Sequence, residues 1–465
     1  MSKDFSPFDN SPIKGIHYRW TILAAMGDYL DAGSIVAGGA SLTFWITYFH
    51  LASLVQGLIA ALGPNAFGAF IGALIAGPLG DRFGRKAIYT YDLIILLIGA
   101  IIVTASTNIF MLIPGYILIG LAVGIDVPTS WSLIAEYAPK VGRGKLMSFT
   151  NIFWYIGPIV ILILGIATSP LGVNSFRVLF GSLALVAAVT WILRRGMIES
   201  PRWSAVKGKE TEVKKAMEKL GVSPTSIDKD SQSSNSQPIP SSSMNTSNVN
   251  TANVTSSKIS ISRLLKGFAF IIPIYILWGV PAGTFGFFLP FFVEDLGSKS
   301  VVLGDVVDIG WFATAIIGIL AITMPFSDKI SRRILYAISA LVCAVSFAIP
   351  ITLPFKILAV AAANVILFGF GQGIGLWPIT RMWSVELFPT EIRNTAQGIT
   401  WASMRFAIGV WSLFVPTILS IIGYSAIAAI FTAFFIAAAI IGGLYGPKSQ
   451  GKSLETVLKE FYGET

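Results

Sequence analysis

The chain has 465 residues, 54% of them hydrophobic and only 12% charged, and its 33 Lys and Arg outnumber 24 Asp and Glu to give a net charge of +9. Its mean hydropathy is +0.73. Soluble domains carry about 25% charged residues, so this composition excludes an ordinary cytosolic enzyme, a disordered chain and, despite the basic charge, a nucleic-acid binder. One cysteine, Cys343, excludes an internal disulfide and a Cys-based metal site, and two histidines leave little for a His-rich one.

The first ten residues are polar and carry no secretory cleavage pattern. Windows of about 20 mostly apolar residues, long enough to cross a bilayer as helix, then occur twelve times. They cover 20–45, 54–79, 87–107, 109–134, 146–169 and 176–195, then 266–292, 303–326, 334–353, 356–380, 395–420 and 424–445. Such runs exclude a β-barrel, which needs short alternating strands.

Span 1 carries Asp28 and Asp31, three apart and so on one helical face, with Tyr29 between them. The loop after span 2 reads Gly80-Asp81-Arg82-Phe83-Gly84-Arg85-Lys86. Span 4 holds Asp126 beside Pro128 and is followed by Glu136-Tyr137-Ala138-Pro139 and Arg143. Span 5 contributes Asn151, Trp154 and Tyr155. Residues 197–262 then break the apolar pattern. Ser204 to Leu220 is charged and helix-compatible, whereas 221–258 is rich in Ser, Asn and Thr and reads as disordered. Its two glycosylation-type matches, at Asn245 and Asn253, are chance matches if that segment is cytoplasmic.

The second half repeats the first. Ser327-Asp328-Lys329-Ile330-Ser331-Arg332-Arg333 follows span 8, and Glu386-Leu387-Phe388-Pro389 with Arg393 follows span 10. Span 7 contains Trp278, span 10 contains Gln372 between two glycines and Trp377, with Arg381 at its end, and span 11 contains Trp401 and Arg405. With the N-terminus placed inside, 29 of the 33 Lys and Arg fall on the cytoplasmic side; Arg177, Lys299 and Lys356 fall outside and Arg405 lies within a span. That bias puts both termini in the cytoplasm and the chain in the cell membrane as a multi-pass protein. The organisation is 1–196, a bundle; 197–262, a linker; 263–446, a second bundle; and 447–465, a tail. The fold class is all-α membrane protein, twelve transmembrane helices in two pseudo-symmetric six-helix bundles. Internal duplication of this kind builds many secondary transporters, with the site at the midplane.

These motifs resemble the major facilitator superfamily over nearly the whole chain, the Gly80–Lys86 loop above all. The Glu-x-x-Pro-x-x-x-Arg elements, Glu199-Ser200-Pro201-Arg202 after span 6, and Gly451-Lys452-Ser453-Leu454-Glu455 in the tail are similar to the branch shared by sugar porters, organic-ion transporters and aromatic-acid:proton symporters. The resemblance implies alternating access, a small-molecule substrate, no cofactor and a monomer in the bilayer. Against a sugar substrate, span 7 (Gly279 to Gly286) lacks the usual Gln-Gln run, and Arg381 and Arg405 stand where sugar porters usually have Trp. Arg393, Gly398, Arg405 and Pro416 are instead similar to span 11 of the organic-ion and aromatic-acid families.

The expected function is therefore proton-coupled symport of a small, preferentially anionic, organic metabolite. A sugar or polyol symporter, an exporter of amphipathic compounds and a ligand sensor are the alternatives. Charges inside a membrane mark function and need partners. Asp31, Asp28 and Asp126 are the candidate proton carriers. Arg405 either binds an anion or pairs with Asp31 or Asp126; Arg381 is a site residue or snorkels to the interface. Gln372, Tyr29, Asn151, Trp154, Trp278, Trp377 and Trp401 are candidates for the cavity, the Trp residues also serving as packing bulk. Asp81, Arg85, Glu136, Arg143, Asp328, Arg332, Glu386 and Arg393 are expected to gate the cytoplasmic face. No nucleotide loop, metal cluster or nucleophile set points to an enzyme.

Overall fold

The computed structural model describes residues 5–51, 53–221, 261–294 and 301–463. The Ser/Asn/Thr-rich stretch with Asn245 and Asn253 lies outside them, as does Lys299. With no water in the bilayer core, a spanning segment must satisfy its own backbone groups, and each apolar run does so as helix. The first six are α1 (Gly15–Phe49), α2 (Ser53–Leu62 and Phe67–Phe83), α3 (Arg85–Ala105), α4 (Ile109–Tyr137), α5 (Arg143–Thr168) and α6 (Ser175–Arg194). The second six are α7 (Ile261–Glu294), α8 (Leu303–Phe326), α9 (Arg332–Thr352), α10 (Leu358–Glu386), α11 (Arg393–Ile421) and α12 (Tyr424–Tyr445). Only the short 3₁₀ turn Ser169–Asn174 separates α5 from α6. Large apolar side chains such as Leu185, Ile192, Ile421 and Leu444 point outward, as they do where lipid is the solvent.

Two seams join the halves: α2 packs on α11, and α5 on α8. These seams are related by the repeat, since α2 corresponds to α8 and α5 to α11. At the first, a Cβ on Gly398 would meet the Ala73 carbonyl and Gly77, so the missing side chain lets two backbones touch. The Gly-rich run of α10 serves the same end: Gly369 and Gly373 press on the α8 backbone and Gly371 on Cys343 of α9. Both α8 and α10 carry a π-helical turn, Ile319–Thr323 and Gln372–Leu376. The two turns face each other, with the Thr323 hydroxyl donating to the Gly373 carbonyl at 2.6 Å.

The charged segment after α6 forms two short helices, Pro201–Val206 and Glu210–Lys219, and the tail forms Leu454–Tyr462. One positive charge counted with this cytoplasmic segment belongs elsewhere. Arg194, in the last turn of α6, is buried inside the first bundle.

Candidate functional site

The deepest charges of α1 meet the deepest charges of the second bundle. Asp31 is fully buried and receives Nη2 of Arg405 at 2.8 and 3.0 Å on its two oxygens, and Nε1 of Trp154 at 3.1 Å. Arg405 also donates to the Asn65 carbonyl at 3.0 Å and lies over the Trp401 ring at 4.3 Å. One helical turn toward the cytoplasm, Arg381 donates to Asp28 at 3.0 Å and to Asn151 at 2.6 Å. Trp131 donates its indole N–H to Asp28 at 3.0 Å and offers its face to Arg381 at 3.8 Å. Arg381 therefore does not snorkel; it is wholly buried and bridges the bundles. A guanidinium in a water-poor interior is tolerable only with such partners.

Around these two layers stands a cluster of tryptophans. Trp278 and Trp377 stack with centroids 3.7 Å apart, and Trp131 contacts both Trp377 and Trp401 edge-on. The central cavity beside them is contracted to ≈ 20 Å³, room for a water or two rather than a metabolite. Trp154, Trp278, Trp401, Phe312, Arg405 and Gly283 are on its wall. Of the sequence candidates, the wall takes Arg405, Trp154, Trp278 and Trp401. It leaves Asn151 and Arg381 in the layer below. Trp377 is stacked behind Trp278, Tyr29 is packed into the α1 core, and Gln372 accepts from Trp278 at 3.0 Å and Tyr155 at 3.4 Å.

Asp126 takes neither central arginine. It pairs with Arg194 at 2.8 Å, and Arg194 also approaches Asp92 at 3.6 Å and covers Tyr89 at 4.0 Å. The group lies within the first bundle, with Asp126 pressed against Gly27 of α1.

At the end of the bundles that carries the repeated loops, the eight motif residues converge as a mesh. Glu136 accepts from Arg85 of its own bundle at 3.0 Å and Arg393 of the other at 2.9 Å. Glu386 accepts from Arg332 of its own bundle at 2.7 Å and lies 3.8 Å from Arg143 of the other. Asp81 caps α11 by accepting the amides of Asn394 at 3.2 Å and Thr395 at 2.7 Å. Asp328 lies 3.1 Å from Arg332 and next to Gly144, at the start of α5. Glu199 accepts the amides of Arg85 and Lys86 at the start of α3; burial pushes its carboxyl above the ordinary glutamate range. Arg202 joins Asp9 to Glu455, tying the N-terminal segment to the tail helix. Burial is the largest influence on Glu455 and would raise it, but the Arg202 guanidinium, its own backbone N–H and the charges of Arg393 and Arg143 together hold that carboxyl below its usual range. Through Glu136 and Arg393 the mesh ties the two bundles together at this end.

Sequence reasoning missed several buried charges. Asp92 and Arg194 form the Asp126 group, and Asp305 and Asp308 are buried in α8. Asp305 and Asp308 have the same three-residue spacing that singled out Asp28 and Asp31, so the same rule applied to span 8 would have found them. Asn65 was also missed; its signal was Gly63-Pro64-Asn65 inside an apolar span.

A family model described as "Sugar (and other) transporter" matches residues 34–461. Over 443 residues the chain is 34% identical to the minor myo-inositol transporter IolF of Bacillus subtilis, covering 95% of this chain and 94% of that one. It is 28% identical to the glucose transporter GlcP of Staphylococcus epidermidis, covering 97% and 99%. Among solved structures, the proton:xylose symporter XylE bound to 6-bromo-6-deoxy-D-glucose superposes with a TM-score of 0.80 at 19% identity, covering 96% and 99%. These relatives are transporters, not enzymes, and the twelve-helix architecture is theirs. The chain is a multi-pass membrane transporter and belongs to the sugar porter branch of the major facilitator superfamily.

Proposed function

We propose that the protein is a proton-coupled symporter of a sugar or cyclic polyol, with Asp31 as the proton carrier and the mesh as its cytoplasmic gate. The observation that carries this reading is the Asp31–Arg405 pair, which joins the two bundles at the wall of the central cavity. In the empty, ionised carrier the pair holds the bundles together. A proton from outside on the Asp31 carboxylate removes its charge and leaves the Arg405 N–H groups short of an acceptor. A substrate hydroxyl oxygen then supplies one. Proton and substrate thus favour each other's binding, and both leave when the cytoplasmic mesh opens.

The anionic substrate favoured by the sequence gives way to a neutral one. An anion needs a free cation, whereas Arg405 and Arg381 each already hold a carboxylate. The faces of Trp154, Trp278 and Trp401 suit the C–H faces of a sugar ring, and the Trp401 indole N–H and the Gln372 amide N–H lack partners among the described residues. The named substrates of the relatives, myo-inositol, glucose and xylose, are neutral and polyhydroxylated. Both termini are assigned to the cytoplasm by the charge bias.

The test uses proteoliposomes loaded with a pH dye. External myo-inositol, D-glucose or D-xylose is expected to acidify the lumen. Asp31→Asn should abolish that signal and concentrative uptake while retaining exchange of labelled substrate across the membrane. Acidification by carboxylates alone would restore the anion reading; Asp31→Asn with full concentrative uptake would remove Asp31 as carrier.

A further inference from the structure

α2 is broken one layer behind the cavity, where it meets Gly283 and Arg405. Regular helix stops at Leu62 and resumes at Phe67, and Gly63-Pro64-Asn65-Ala66 turn between the two pieces. Pro64 has no N–H to continue the ladder, and Gly63 lies flat against the Tyr116 ring. Non-helical backbone at membrane depth persists where protein or a cavity covers it, and interrupted helices in transporters mark the places where ligands bind.

The break exposes two functions of one residue. The Asn65 carbonyl, freed from the helix, accepts from Nη1 of Arg405 at 3.0 Å. The Asn65 side chain is wholly buried, and neither its Oδ1 nor its Nδ2 has a partner among the described residues. A Cβ placed on Gly283, a wall residue of the cavity, would stand 3.3 Å from Asn65 Oδ1. The amide thus lies beside Arg405, one layer behind the wall glycine Gly283, with Ile408 of the same wall packed against that glycine. Buried amides are normally satisfied, and the wall in front of this one is largely aromatic and aliphatic.

We infer that Asn65 is a substrate-recognising residue whose side-chain amide binds two neighbouring hydroxyls of the transported sugar or polyol. The carbonyl Oδ1 accepts from one hydroxyl and Nδ2 donates to the next, the pairing that a vicinal diol presents and a carboxylate or a hydrocarbon does not. Because the same residue's backbone holds Arg405, hydroxyl recognition and the proton-linked pair are mechanically joined. The inference rests on the sugar or polyol reading and adds the specificity determinant to it.

The test measures uptake of myo-inositol, D-glucose and their monodeoxy analogues by proteoliposomes of the wild type and of Asn65→Leu. Wild type is expected to reject at least one monodeoxy analogue by about ten- to a hundredfold in kcat/KM. Asn65→Leu should raise KM for the parent by a similar factor and lose the discrimination, with substrate-driven lumenal acidification still present. A residue that only shaped α2 would lower uptake of parent and analogue alike. Should Asn65→Leu fail to insert, Asn65→Ser, too short to span both hydroxyls, must show the same loss of discrimination. Wild-type sugar transport with discrimination unchanged in either variant would overturn the role of Asn65 and leave the symporter reading standing. Transport of carboxylates alone would overturn both.

Discussion

Two sets of buried ion pairs join the bundles, and they differ in what can replace their partners. In the central set each arginine has one carboxylate, Arg405 with Asp31 and Arg381 with Asp28, and Arg405 lies on a cavity wall. A proton or a hydroxyl reaching that cavity can take a partner's place. In the cytoplasmic set Glu136 serves two arginines at once, and Arg332 is held by Glu386, Asp328, Ser449 and the Ser327 carbonyl. The Arg332 partners all belong to its own half, so separation of the bundles would leave them intact and break the Glu136–Arg393 link. In the proposed cycle the first set exchanges partners and the crossing link of the second acts as the latch.

Substitution in each set sharpens the contrast. The largest effect is expected from Asp31→Asn, which should eliminate proton-driven accumulation while leaving exchange, measured as counterflow. Glu136→Gln should act on the gate instead of the coupling. Removing one partner of a buried pair costs about 3–5 kcal/mol, and here Arg393 loses its carboxylate while Arg85 keeps Asp81. The inward-open state should gain population, read as faster labelling of Ser148→Cys, at the α5 seam, in a Cys343→Ser background. Unchanged labelling would show that the mesh is not a latch.

The repeat predicts equal halves, but the geometry does not. Arg393 reaches Glu136 across the seam at 2.9 Å, whereas Arg143 stands 3.8 Å from Glu386 and donates instead to the Lys452 carbonyl at 3.2 Å. Arg393→Gln should therefore raise Ser148→Cys labelling more than Arg143→Gln; equal effects would mean that the motifs act by net charge alone.

The smallest effect belongs to the tail. Glu455 is half exposed, so its link to Arg202 contributes at most about 1 kcal/mol. Its folded carboxyl titrates below the unfolded value, so this contribution is complete above the ordinary glutamate range and fades as pH falls through the lower folded value. Hydrogen exchange in Leu454–Tyr462 should rise in acid beyond its intrinsic trend, and Glu455→Gln should raise it at neutral pH and flatten that dependence.

Much of the site was legible, though not its wiring. Helical periodicity put Asp28 and Asp31 on one face, and the duplicated loops marked the mesh. The absence of Trp at 381 and 405 argued against sugar. Yet Trp377 and Trp401 sit one helical turn before those positions, on the same faces, and keep aromatic surface at the centre. Periodicity along one helix cannot say whether a neighbour supplies what a single position lacks.

Composition and hydropathy alone determined a twelve-span membrane protein, because lipid leaves an apolar run no alternative to helix. Repeated motifs added its two halves, and the charge bias its expected orientation. Which arginine meets which aspartate was decided only in three dimensions. Asp126 could have met Arg405, and it meets Arg194 because α4 and α6 flank the same stretch of α1. Asn65 is brought beside Gly283 and Arg405 only by the break in α2. Ion pairs and hydrogen bonds are decided over a few ångströms, and helix order and rotation set those distances.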